Sequence, residues 1–270
     1  MELPVLRLKH GEDRRLRAGH LWVFSNEVDV AATPLKGFAP GAIARLLNDR
    51  DHFLGYVYVN PATLICARIV SRAADAPIDE ALLVRRLRSA LALREQLGTP
   101  RHYRWVFGES DGLPGLVLDR YGDVVVGQIA TVGMEALKPL VESAVAKVVA
   151  PTALVWKNDG GARSLEDLPD VFEVAFGDAP ESVEVIEKPR HDRELRFTAA
   201  LAAGQKTGWF YDQTANRSRL ARYLPPGARV LDVCSYVGAW GITALAGGAA
   251  SATCLDSSQA ALDGAMRNAA

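Results

Sequence analysis

The chain has 270 residues, 49% of them apolar, with a formal net charge of −1. Charge near zero gives no global case for a polyanionic partner, no apolar run is long enough to span a bilayer, and Met1 to His10 lacks the apolar core of a signal peptide, so no membrane partner is expected. Cys66, Cys234 and Cys254 are few, odd in number and far apart, which argues against a disulfide framework, fits a reducing cytosol and offers no metal-ligand spacing.

Residues 1–72 read as β-rich. Strand-like runs occur at 5–8, 21–24, 42–47, 53–59 and 64–70, with a turn or short helix at 14–19 and turn signals at Pro40-Gly41, 48–51 and Pro61. Short strands with regular turns predict a small barrel. A linker at 71–77 leads to a helix over 80–97, N-capped by Asp79 and stopped by Gly98 and Pro100. Next come a strand at 105–107, the turn-rich stretch 108–115 and a hairpin around Tyr121-Gly122-Asp123. A helix over 135–149 and strands at 154–156, 172–176, 183–186 and 195–198 complete a mixed α+β unit, 73–190. From Thr214 the character changes: helix 214–223, a Pro225-Pro226-Gly227 break, strand 229–233, helix 238–245, strand 251–255 and helix 258–268. That alternation predicts a βαβ unit with parallel strands.

Charge is clustered locally. Arg7, Lys9, Arg14, Arg15 and Arg17 crowd the N-terminus, against Glu2, Glu12 and Asp13. Arg85, Arg86, Arg88, Arg94, Arg101 and Arg104 form a second group. Both can neutralise phosphates or simply solvate a surface.

The densest chemistry lies near the C-terminal end. In Val230-Leu-Asp-Val-Cys-Ser-Tyr-Val-Gly-Ala-Trp-Gly241 a buried strand delivers the chain to a tight loop and a helix N-terminus. Gly238 and Gly241 permit close backbone approach, but Tyr236 stands where a dinucleotide fingerprint wants glycine. Asp232 would repel a pyrophosphate, yet can face an ammonium group such as that of S-adenosylmethionine. Asp256, 24 residues on, ends the second strand; it can accept ribose hydroxyls or cap the next helix, as can Ser257 and Ser258. Cys234 reads as a small side chain beside a ligand, since no base lies near it in sequence. Upstream, Gly204-Gln-Lys-Thr-Gly-Trp-Phe-Tyr-Asp-Gln-Thr-Ala-Asn-Arg217 packs cation, amide, aromatics and acid together. Phe210 or Tyr211 can stack on an adenine, Lys206 can meet an anion, and Asp212 or Gln213 can bond a ligand or cap the following helix. Lys206, Phe210, Asp212, Gln213, Asp232, Ser235, Tyr236, Gly238, Asp256 and Ser257 are the candidate cofactor residues.

These two segments, with Asp256-Ser-Ser-Gln-Ala-Ala-Leu, the middle stretch Gly108-Glu-Ser-Asp-Gly-Leu-Pro-Gly-Leu-Val-Leu-Asp-Arg-Tyr-Gly-Asp and the opening Arg17-Ala-Gly-His-Leu-Trp-Val-Phe-Ser-Asn-Glu27, resemble the RlmI-type large-subunit ribosomal RNA methyltransferases. The resemblance runs in order along the whole chain. It implies three units: an RNA-binding PUA β-barrel over 1–72, a central α+β domain over 73–190, and the first part of a Rossmann-like methyltransferase domain over 191–270. It implies S-adenosylmethionine as donor and cytosine C5 of 23S ribosomal RNA as target, in the cytoplasm. In that chemistry a cysteine thiolate adds to C6 of an unstacked base before C5 takes the methyl group. Arg14, Arg15, Arg17 and His20 are the expected phosphate contacts. The family's Asp-Pro-Pro segment and cysteine loop have no counterpart before Ala270, so the chain reads as truncated and no catalytic residue can be named. An open sheet edge makes a homodimer an expectation too. The alternatives are a PUA-type RNA binder without catalysis and, less well matched, a nicotinamide-dependent oxidoreductase.

Overall fold

The computed structural model describes residues 3–97, 101–190 and 193–270, so the expected helix stop at Gly98 and Pro100 lies outside the described residues. The first unit comprises β1 (Val5–Arg7), α1 (Arg14–Arg17), β2 (Trp22–Phe24), β3 (Ala42–Leu47), β4 (Phe53–Val59) and β5 (Ile65–Ser71). Its sheet runs β1-β3-β4-β5-β2, antiparallel except for the β1–β3 pair. The far edges meet beyond β2. Leu8 bridges Val28, and Lys9 and Asp29 donate to Glu27 and Arg7 carbonyls at 2.9 Å. Leu6, Leu8, Leu16, Val23, Val57 and Cys66 fill the interior, where burial pushes the Cys66 thiol up to about 12.

The second unit opens with α2 (Glu80–Gln96), capped by Asp79, whose carboxylate accepts the Leu82 N–H at 2.8 Å. β6 (His102–Phe107), β7 (Leu116–Tyr121) and β8 (Val124–Ile129) form a meander. The expected 135–149 helix is two: α3 (Val132–Ala136) and α4 (Lys138–Val149). Thr131 starts the first by accepting the Met134 N–H, and Pro139 suits only the opening turn of the second. They carry the chain across to β9 (Ala153–Asn158), parallel to β8, and β10 (Val171–Phe176) closes the order β10-β9-β8-β7-β6. Trp105 and Trp156 anchor the core between this sheet and helices α2 and α4.

β11 (Ser182–Arg190) and β12 (Arg193–Ala200) then pair as one long hairpin. α5 (Thr214–Arg219) ends sooner than the sequence suggests, the chain tightening into a 3₁₀ turn at Leu220–Arg222. β13 (Arg229–Val233), α6 (Ala239–Ala246), β14 (Ser251–Leu255) and α7 (Gln259–Ala269) make the expected βαβ unit, its two strands parallel and in register from Arg229↔Ser251 to Val233↔Leu255. The whole is α/β and α+β in class. No helix among the described residues is long and apolar enough to cross a membrane.

Candidate cofactor-binding site

β13 ends at a loop in which Cys234, Tyr236 and Gly238 all take positive φ, of 60°, 48° and 78°. Two of these are not glycine, and such strain gathers where surrounding contacts over-determine the backbone. The contacts here are specific. Asp256 accepts the Tyr236 N–H at 2.8 Å through Oδ2 and the Ser258 N–H at 2.9 Å through Oδ1. The Tyr236 hydroxyl donates to the Gly208 carbonyl at 3.1 Å and accepts the Gln205 N–H at 3.2 Å. The strand-end loop is thereby tied to the 204–208 segment.

A cavity of about 790 Å³ lies between the two segments, lined by eight of the candidate residues: Lys206, Phe210, Asp212, Gln213, Ser235, Tyr236, Asp256 and Ser257. Lys206 Nζ sits 4.3 Å from the Phe210 ring centroid and 3.1 Å from Asp212, which also accepts from Gln213 at 3.0 Å. Phe210 meets Tyr236 edge-on at 5.6 Å. Tyr211 points away, its hydroxyl donating to the Arg120 carbonyl at 3.0 Å and its ring 5.3 Å from Tyr121.

Asp232 and Gly238 are placed differently. Asp232 accepts the Gly241 N–H at 2.9 Å, bracing the strand end against α6, and burial raises its carboxyl above the ordinary range. Gly238 is the residue from which α6 starts, and a Cβ there would come within 3.0 Å of Ala265 Cβ on α7. The Asp256 carboxyl is instead held below its ordinary range by the Ser258 and Tyr236 N–H groups. Ser258, not Asp256, caps α7, accepting from Ala261.

Sequence reasoning missed the network behind the cavity wall. Glu187, on β11, accepts from Trp209 Nε1 and Thr214 Oγ1 at 2.8 Å each, and Arg217 bonds it through both Nε and Nη2. Arg217 also donates to the Phe210 carbonyl at 3.1 Å and lies over the Trp209 ring. On the other side, buried Asp119 binds Arg104 through two 2.9 Å bonds and accepts from Thr207 Oγ1. The aromatic-rich motif signalled Arg217, and Asp119 belongs to the middle stretch that carries the resemblance although nothing there indicated its role; nothing local signalled Glu187.

The N-terminal arginines divide. Arg14, Arg17 and His20 are exposed, Arg17 paired with Asp13 at 2.6 Å. Arg15 is committed inward, bonding Glu27 at 2.9 Å and the Trp22 carbonyl at 2.6 Å and covering the Phe24 ring. In the second group, Arg94, Arg101 and Arg104 are paired with Asp111, Asp123 and Asp119. Among the described residues no group of three or more His, Cys, Asp or Glu side chains could hold a metal ion.

Residues 6–72 match the family model of a PUA-like domain. The chain is 34% identical over 267 residues to the Ribosomal RNA large subunit methyltransferase I of Alteromonas mediterranea, and 34% over 270 residues to that of Erwinia tasmaniensis. Each alignment covers 97% of this chain, and the chain spans 65% of the length of each relative. Two solved structures share the fold over 98% of this chain and 66% of theirs, at 19% identity. One is described as a methyltransferase complexed with SAH (TM-score 0.81), the other as a SAM-dependent methyltransferase from Streptococcus mutans (TM-score 0.79).

Proposed function

We propose that this chain, similar along 97% of its length to the large-subunit ribosomal RNA methyltransferases I, is an S-adenosylmethionine-dependent RNA methyltransferase of that RlmI type. One observation carries the reading: the cavity walled by the 204–213 segment, the strained 234–238 loop and Asp256. The residues present fit the cofactor. The volume lies within the roughly 300–1,000 Å³ usual for ligand sites. A carboxylate has about four lone-pair positions, and backbone N–H groups take two at Asp256, leaving room for two ribose hydroxyls. Phe210 and Tyr236 offer aromatic walls for adenine, and Lys206 can meet the methionine carboxylate.

When bound, S-adenosylmethionine supplies an electrophilic methyl group. The chain's own residues bind and orient it: Asp256 fixes the ribose, and the Tyr236 bridge keeps the two cavity walls at a set distance. The finer reading is methylation of cytosine C5 in 23S ribosomal RNA, in the cytoplasm, with the PUA-like unit and its exposed Arg14, Arg17 and His20 on the RNA. Arg15 holds the barrel instead. The division we favour is 1–72, 73–181 and 182–270, since a boundary after 190 would part β11 from β12. A homodimer belongs to the same reading, and a sedimenting monomer would remove it.

Calorimetric titration with S-adenosylmethionine, with NAD as control, tests the cofactor. Micromolar binding of the first alone is expected, weakened at least tenfold in Asp256→Ala. Binding of NAD, or of neither, overturns the reading. Nucleoside analysis of 23S RNA after incubation with cofactor and a protein of the relatives' full length that contains this chain tests the target, 5-methylcytidine being the expected product and its absence removing the cytosine C5 reading.

A further inference from the structure

A second groove, of about 750 Å³, runs between the barrel and α2 and shares no lining residue with the cofactor cavity. Arg72, Arg85 and Arg86 line it. Arg86 is fixed in place: Nη2 donates to the Val70 carbonyl at 2.8 Å, and the guanidinium packs over Gly112. Gly112 has φ of +71°, and a Cβ there would come within 1.6 Å of Arg86 Nη1. The Gly108–Gly115 turn, which the cofactor site does not use, thus makes room for this cation. Arg72 donates to the His20 carbonyl at 2.7 Å, and Arg85 is exposed on the same helix as Arg86.

None of the three has a carboxylate partner among the described residues, unlike Arg94, Arg101 and Arg104. The acids on the groove wall are already engaged. Asp111 holds Arg94 through bonds of 2.6 and 2.7 Å, and Glu109 accepts the Trp22 indole N–H at 2.7 Å. Burial disfavours the charged form of Arg72, and burial together with the Arg85 charge disfavours that of Arg86. The groove therefore carries three arginines without an ion-pair partner among the described residues against one carboxylate, Glu109, that no cation pairs, a net excess of positive charge. Trp22 and Phe107, 41% and 54% exposed, flank the same turn, Arg104 lying over one face of the Phe107 ring at 5.5 Å and leaving the other for a base.

We propose that this groove binds the phosphodiester backbone of single-stranded RNA, Arg72, Arg85 and Arg86 meeting successive phosphates while Trp22 and Phe107 stack on bases. Several cations spaced along a groove suit a repeating anion, and exposed rings beside them suit unpaired bases. The proposal rests on the RNA reading above and adds the surface that does the holding.

Fluorescence anisotropy of the 270-residue chain with labelled oligouridylate, across a series of KCl concentrations, tests it. The double variant Arg72→Gln/Arg85→Gln, its melting temperature unchanged, is expected to bind about tenfold more weakly. Its log K against log salt slope should be shallower by about 1.4, two single-strand phosphate contacts being lost. Trp22→Ala should weaken binding without changing the slope, because stacking releases no counterions. Affinity and slope equal to the parent chain in the double variant would overturn the groove and leave the RNA reading standing. Absence of salt-dependent RNA binding by the parent chain would remove both. Displacement of the RNA by polyglutamate as readily as by unlabelled RNA would reassign the groove to acidic proteins and overturn the proposal.

Discussion

Glu187 shows how much of a binding site can rest on one side chain that never touches the ligand cavity. It gathers Trp209, Thr214 and Arg217, and so fixes the backbone from which Phe210 projects. Both partners of the ion pair are nearly solvent-free, at 2% and 4% exposure. Removing one partner of such a pair strands the other charge, which costs about 3–5 kcal/mol, whereas removing both is far milder. Arg217→Met is therefore expected to lose about that much stability in urea unfolding, and Arg217→Met/Glu187→Leu distinctly less; equal losses would show that packing, not charge, is at stake. At this scale the sequence is half legible. Arg217 sits in a motif whose density announces importance. Its partner lies 30 residues upstream on strand β11, and no periodicity reports which strand will face which helix. Arg15 teaches the converse: local charge density suggested a phosphate contact, but Glu27 and Phe24 claim it.

The loop after β13 owes its shape to elements that arrive later in the chain. The βαβ pattern was readable because strand and helix periods differ, and Ser258 and Asp79 cap where capping chemistry says they should. The split between α3 and α4 was less visible, for the apolar pattern is continuous across it and Pro139 alone marks the new start. What the sequence could not convey was the job of each acid. Asp232 braces α6, and Asp256 holds the Tyr236 amide. Because backbone N–H groups depress the folded-state pKa of Asp256, its hold on the loop is complete above the ordinary value of 3.8 and fades as pH falls through the lower folded value. Amide hydrogen exchange at Tyr236, taken relative to the intrinsic rate at each pH, should accordingly be slow at neutral pH and lose its protection only in strong acid. In Asp256→Ala it should be fast throughout; protection that survives in this variant would mean that the Tyr236 hydroxyl bridge, not the carboxylate, orders the loop.

Across the whole molecule the three units share cores. Tyr58 and Val70 of the barrel belong to the same apolar cluster as Trp105 and Trp156, and Tyr121 and Val126 of the central sheet join Phe197, Trp209 and Val237. The sequence divides cleanly into units because linkers and turns are local signals, but shared cores are made by contacts between residues far apart in the chain. Tyr58 is the barrel's part of the first seam. Its ring lies against Gly133, where a Cβ would approach to 2.0 Å, and its hydroxyl donates to the Pro114 carbonyl at 3.0 Å beside Thr131. Burial lifts that phenol far above its ordinary range, so it stays a neutral donor. Tyr58→Ala removes a buried ring from between two units and should cost about 3–5 kcal/mol. If the seam couples the units, the parent chain unfolds the barrel and central sheet together, with far-UV circular dichroism and tryptophan fluorescence tracing one transition. The variant should then separate the two probes, the barrel strands losing ellipticity before Trp105 and Trp156 become exposed. Coincident transitions in the variant would mean that the remaining seam contacts suffice, and two transitions in the parent chain that the units are independent despite sharing a core.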